Sequence, residues 1–122
     1  MLQQQTKSIR AFIGAKDFDI SRAFYRDLGF EEIVISEALS LLRSSSMGFY
    51  LQKYYVEDWV NNTTLFLEVT NVADFWDYLQ QLNLPEKYPE VRLGTIKEYD
   101  WGRECFIHDP SGVLWHVGEF YP

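Results

Sequence analysis

The chain of 122 residues has one cysteine, Cys105, so no internal disulfide can staple it, and no metal-binding motif includes that residue. A lone thiol fits a reducing compartment, and a cytoplasmic setting is the expectation. No run approaches the ~18–20 apolar residues of a membrane-spanning helix. The start, MLQQQTKS, lacks the basic and apolar order of a secretory signal. Positive charge is also scarce. Eleven basic residues stand against 18 acidic ones, a formal net charge of -7, which argues against a general nucleic-acid binder because phosphate neutralisation needs a basic patch. No low-complexity tract, phosphate-binding glycine loop or zinc-finger spacing occurs.

What is present is apolar and aromatic. Hydrophobic residues make up 47% and aromatics 17%, with nine Phe, eight Tyr and four Trp. That content excludes disorder. The length suits one domain with a real core, here expected over residues 8–121.

The order of elements repeats. Residues 9–15 (IRAFIGA) predict a buried strand. Asp17 or Asp19 predicts a helix cap, with Ile20, Ala23, Phe24 and Leu28 on the packed face and Gly29 as the stop. EEIVIS, LSLLRS and GFYLQKYY then predict three strands, broken most clearly at SSSMG. TTLFLEV, VADFWDYLQQL, VRLGTIKEY, RECFIHD and VLWHVGEF predict a second strand, helix and three strands. The first strand and helix superpose on their second copies at a shift of 54 residues, Asp17 on Asn71 and Leu28 on Leu82. The last strands superpose through Gly48 and Gly112, a shift of 64. A period of this length occurring twice predicts a duplicated βαβββ module, one over 8–58 and one over 62–121, rather than a solenoid.

Two segments carry a family resemblance. Asp17 to Phe30 (DFDISRAFYRDLGF) resembles the first-module signature D-x-x-x-S-x-x-F-Y-x-x-(V)-L-G-F of the vicinal-oxygen-chelate superfamily, with one residue missing before Leu28. Trp101-Gly102-Arg103-Glu104-Cys105-Phe106 through Asp109-Pro110-Ser111-Gly112 resembles the second-module signature W-G-x-x-x-F-x-x-x-D-P-x-G, with one residue fewer between Phe106 and Asp109. The superfamily includes glyoxalase I, extradiol dioxygenases, epimerases, fosfomycin-resistance enzymes and bleomycin-resistance proteins. The Trp-Gly pair and the Leu114-Trp115-His116-Val117 ending look most like the bleomycin-resistance branch. The resemblance implies an α+β fold in which two βαβββ modules form a curled mixed sheet around a central cleft. It also implies a homodimer and a small organic ligand, cationic or aromatic.

Metal-using members of the superfamily place four ligands at positions that match Arg10, Gln52, Thr64 and His116 here. Arginine has no lone pair to give and stays charged, and threonine is a poor neutral donor. Neither a metal nor another cofactor is therefore expected. The four side chains instead line a ligand site with Tyr50 (the next inward candidate beside Gln52), Trp59 and Trp101. Arg10 is a forked donor for an anionic group, and His116 is the candidate catalytic base. The bland alternative is a Gln52–His116 hydrogen bond with Arg10 paired to Glu68 or Glu119. His108 should face away from Ile107 and Asp109 with no assigned role. Phe49, Tyr50, Tyr54, Tyr55 and Trp59 cluster after the first module, and Tyr99, Trp101 and Trp115 in the second. These are ring-stacking candidates, half or more of them core or subunit interface. Phe24, Tyr25, Phe75 and Trp76 are expected to pack helices on sheets. The composite reading is a metal-independent binding protein. The alternative is a metal-dependent lyase, isomerase or dioxygenase of the same fold.

Overall fold

In a computed structural model describing residues 2–122, each half of the chain builds one four-stranded mixed sheet with a helix on its inner face. The first half runs α1 (Leu2–Gln5), β1 (Phe12–Gly14), α2 (Phe18–Leu28), β2 (Glu31–Ser36), β3 (Leu39–Ser44), β4 (Met47–Gln52) and α3 (Glu57–Asn61). The second runs β5 (Thr64–Glu68), α4 (Val72–Leu82), α5 (Leu84–Lys87), β6 (Arg92–Glu98), β7 (Gly102–His108) and β8 (Leu114–Phe120). The strand orders are β1-β4-β3-β2 and β5-β8-β7-β6, with the first strand parallel to the last in each and the other pairs antiparallel. This is an α+β fold of two βαβββ modules. No helix among the described residues is long and apolar enough to cross a membrane.

The repeat is clearest at the two long helices. Asp17 accepts a hydrogen bond from the Ile20 N–H, and Asn71, 54 residues on, accepts one from the Asp74 N–H. Each side chain satisfies one orphan donor of the first turn. Gly29 takes φ 124 past the end of α2, a conformation that glycine adopts without a Cβ clash.

Between the sheets lies one core, in which Ile13, Leu51, Leu42 and Phe49 of sheet one meet Cys105, Ile107, Trp115 and Val117 of sheet two. Helix α2 turns Phe18, Ser21, Phe24, Tyr25 and Leu28 into it. Ile20, expected on that face, is exposed instead, because the buried stripe follows Phe18 and Tyr25. Tyr25 is the pivot. Its hydroxyl donates to Asp109 Oδ2 at 2.6 Å and accepts from the Trp115 indole N–H at 2.9 Å. Asp109 Oδ1 accepts from the Ser111, Gly112 and Val113 N–H groups, which closes the Asp-Pro-Ser-Gly turn. Burial pushes the Asp109 carboxyl up despite these bonds, and the Tyr25 phenol goes up by burial and by the carboxylate beside it. Cys105 is free and buried, its thiol pushed up to about 11 by burial.

Several boundaries differ from expectation. The first strand covers three residues rather than seven, and Ile9 is 98% exposed. Beyond Phe12 the strand has only one further bond to its neighbour, from the Tyr50 N–H to the Ala11 carbonyl. Strand β4 stops at Gln52, so Tyr54 and Tyr55 lie in the connector, and three short helices (α1, α3, α5) occupy segments for which the sequence pattern predicts no element. The shift of 64 for the last strands also fails. Gly112 (φ 106) makes a turn, whereas Gly48 lies inside β4 opposite Arg43, its hairpin having turned at Ser45 (φ 58).

Candidate functional site

Strand alternation leaves one face of each sheet away from the core. On sheet one that face carries Phe12, Gly14, Tyr50 and Gln52, with Phe12 opposite Tyr50 and Gly14 opposite Gln52. On sheet two it carries Thr64, Phe66, Glu104, Phe106, His108 and His116, with Phe66 and Phe106 both opposite His116. Since Phe12 and Phe66 are repeat partners, the ladder makes Tyr50, not Gln52, the counterpart of His116.

Arg10, just before β1, donates to the Tyr50 hydroxyl at 3.3 Å and lies 5.7 Å from its ring centroid. Phe12 packs on the same ring at 5.0 Å. The Arg10 Nε is buried with no hydrogen-bond partner, alone in this among side-chain atoms of the described residues. It has no carboxylate partner among the described residues. Glu119, one of the two expected to neutralise it, pairs with Arg103 at 2.8 Å and accepts from the Val72 N–H, while Glu68 is exposed without an ion pair. An unpaired guanidinium with a sealed donor is an anion-seeking group.

Sheet two holds a continuous run of rings. Tyr99 stacks on Trp101 (5.3 Å, 6° between planes), and Trp101 meets Phe120 at 5.1 Å and Phe66 at 6.2 Å. Phe66 stacks on Phe120 (5.6 Å, 27°) and on His116 (6.5 Å, 15°), which in turn meets Phe106 at 5.2 Å. Tyr99, Trp101, Phe66 and Phe120 are all exposed. Gly118 permits the arrangement, since a Cβ there would come within 2.6 Å of the Phe66 ring. Beneath the rings lies Glu104, 6% exposed, whose carboxylate is 3.3 Å from His116 Nδ1. The Tyr99 phenol is raised above its ordinary value by desolvation and by the Glu104 charge. With Nδ1 toward Glu104, the other ring nitrogen of His116 has no hydrogen-bond partner among the described residues.

Of the expected site residues, Arg10 and Tyr50 are in contact on one sheet, with Gln52 on the same face. His116 and Trp101 belong to one ring cluster on the other sheet. Thr64 is exposed on the face of His116, opposite Leu114 rather than the histidine. Trp59 stands apart on α3 against Tyr54. No Gln52–His116 hydrogen bond forms, because His116 turns to Glu104. Trp115 and Phe49, grouped by sequence with the ligand-stacking rings, are buried in the core. No hydrogen bond or ring contact joins the Arg10 group to the His116 group among the described residues. A separate cavity of about 290 Å³ between the modules is mostly apolar and contains none of these residues.

The residues present do not fit the four-ligand metal site that the resemblance in sequence implies for metal-using proteins of this fold. Arg10 replaces a donor with a cation, Thr64 is a weak donor, and among the described residues no three His, Cys, Asp or Glu side chains are grouped to hold a metal ion.

The architecture is the glyoxalase/bleomycin-resistance fold. A bleomycin-binding protein solved with bleomycin matches with a TM-score of 0.78 at 18% identity, over 95% of this chain and 100% of that one. TnmS3, an antibiotic binding protein from Streptomyces sp. CB03234, matches with a TM-score of 0.73 at 15% identity, over 96% and 98% of the two chains. Lactoylglutathione lyase from Agrobacterium tumefaciens matches with a TM-score of 0.69 at 17% identity, over 94% and 95%. No protein-family model matches the chain, and no curated protein matches it in sequence. At these identities the likeness establishes the fold, and the function has to be argued from the site.

Proposed function

We propose that this chain is a metal-independent binding protein that sequesters a small, flat, cationic organic ligand. The observation that carries the reading is the exposed run Tyr99–Trp101–Phe66–Phe120 above the buried Glu104 carboxylate. Stacked ring faces hold a planar cation by apolar contact and by their quadrupoles, and the carboxylate beneath complements its charge. The antibiotic-binding proteins of the same fold support this ligand class. Two copies of the chain complete the site in this reading: Arg10 and Tyr50 of one protomer face the ring run of its partner and bind a carbonyl or acidic group on the ligand. The buried, unpaired Cys105 thiol suits a cytoplasmic location.

Calorimetry against bleomycin-class compounds and a panel of aromatic antibiotics tests this. Saturable heat is expected for at least one compound, with Trp101→Ala weakening it by at least tenfold, about 1.4 kcal/mol. A folded protein that gives no saturable heat with any of them refutes the ligand class, and a monomer by light scattering at micromolar concentration refutes the shared site.

A second reading, proton-transfer catalysis, rests on the His116–Glu104 pair, a base oriented by a carboxylate. The fold also carries metal-dependent lyase, isomerase and dioxygenase chemistry. Elemental analysis of protein purified without chelator separates these: stoichiometric Ni, Zn, Mn or Fe would overturn metal independence.

A further inference from the structure

A second groove, of about 730 Å³, lies where the β1–α2 loop, the β7–β8 turn and the start of β6 converge. It shares no residue with the ring run. Its walls carry Lys16, Lys87, Arg92 and His108 against two carboxylates, Asp17 and Glu90. Asp17 is already engaged in capping α2. None of the four basic side chains has an ion-pair partner among the described residues, whereas Arg22, Arg26, Arg43 and Arg103 all do. Such a concentration of unpaired positive charge runs against the -7 of the whole chain.

The strand register supplies an independent observation. Charged residues facing each other across these ladders are complementary: Glu31 opposite Arg43, Lys97 opposite Glu104, Glu98 opposite Arg103, Arg103 opposite Glu119. Arg92 opposite His108 is the exception, two basic groups directly paired on one face. An anion between them would accept from the guanidinium fork and from an imidazole N–H together.

We propose that this groove is a binding site for a small organic phosphate. The phosphate head sits between the Arg92 guanidinium and the His108 imidazole, with Lys16 and Lys87 completing its neutralisation. A phosphate rather than a carboxylate matches the number of donors, since it offers three oxygens and nearly two charges, and the guanidinium fork takes two of those oxygens. The groove has the volume of a small-molecule site, ~300–1,000 Å³, so it admits an organic body behind the head. The Tyr55 and Tyr88 rings on its walls offer flat surface for that body.

Phenyl phosphate, inorganic phosphate and phenol serve as probes, read by calorimetry and by thermal melting at constant ionic strength. Phenyl phosphate is expected to bind saturably and more tightly than inorganic phosphate, with phenol silent. Arg92→Gln should weaken it at least tenfold, through loss of the charged fork that holds two of the oxygens. The same variant should melt no lower than the parent without ligand, because Arg92 has no ion pair among the described residues to lose. Trp101→Ala should leave phenyl phosphate binding unchanged, which separates this site from the ring run. Equal effects of phenyl phosphate and potassium chloride on melting, undiminished binding by Arg92→Gln, or loss of binding in Trp101→Ala would each overturn the proposal.

Discussion

Removing one oxygen from the core, by Tyr25→Phe, should destabilise the protein far more than its size suggests. The ring stays, so its edge contacts with Phe24, Phe30 and Phe49 are kept and no large cavity opens. Two buried polar groups lose their partner: Asp109 Oδ2, which accepts from the hydroxyl at 2.6 Å, and the Trp115 N–H, which donates to it at 2.9 Å. Asp109 is 1% exposed, so water has little access to replace the bond. An orphaned buried group costs ~1–3 kcal/mol, and more when charged, giving a total of about 3–5 kcal/mol. Urea unfolding followed by tryptophan fluorescence reads this as a midpoint lower by about 2 M, with the slope unchanged. The loss should also depend on pH. Burial already holds the folded-state Asp109 carboxyl above its ordinary value, and losing the tyrosine bond raises it further. A raised acid favours the protonated form in the folded state, so its penalty develops as pH rises through the folded value and disappears in acid. The destabilisation should therefore be smaller at low pH than at neutrality. A change below about 0.5 kcal/mol, the size of an ordinary surface substitution, would refute the reasoning.

The remaining predictions concern the surface of α2 and the floor of the ring run. Burial would raise the Glu32 carboxyl, but hydrogen bonds from Arg22, Ser40 and Arg26 outweigh it and bring it down to about 2. A lowered acid contributes stability that is present above its unfolded value and lost as pH falls toward 2. Glu32→Gln should therefore cost about 2 kcal/mol at neutral pH, discounted for the half-exposed Arg26, and little near pH 2, as measured by chemical unfolding across that range. Gly118→Ala places a Cβ 2.6 Å from the Phe66 ring and should turn that ring away from His116. The expected readout is an altered near-UV circular dichroism spectrum with the far-UV spectrum unchanged; identical near-UV spectra would show that the glycine does not hold the ring in place.

The helices and the duplication were the legible part of the fold, because their signals are local. Asp17 and Asn71 are short acceptors at the head of apolar periodic runs, and each makes the capping bond its position predicts. The strand ends were less legible, since a strand's length depends on a partner that one sequence does not display. The run from Ile9 to Ala15 is apolar apart from Arg10, yet only Ile13 and Ala15 reach the core, and Phe12 points to the open face. The shift of 64 went wrong for a related reason: glycine marks both turns and close strand approaches, and Gly48 is the second kind.

The candidate site shows the same division. Motif spacing marks Arg10 and His116, but nothing in it marks Glu104, the group that most shapes the second sheet, since a glutamate is seldom buried. Alternation contained the signal: Glu104, Phe106 and His108 share one face of β7, and antiparallel pairing lays that face against His116 and Gly118. Once the carboxylate is placed under the rings, the two sheets have opposite chemical characters. Sheet one presents a guanidinium with a donor unsatisfied, and sheet two presents an aromatic surface over a negative charge. A ligand satisfying both has a cationic, flat end and an acceptor-bearing end. No hydrogen bond or ring contact joins the two surfaces among the described residues, and the proposal that two chains share the site therefore predicts that ligand binding weakens on dilution along with the dimer.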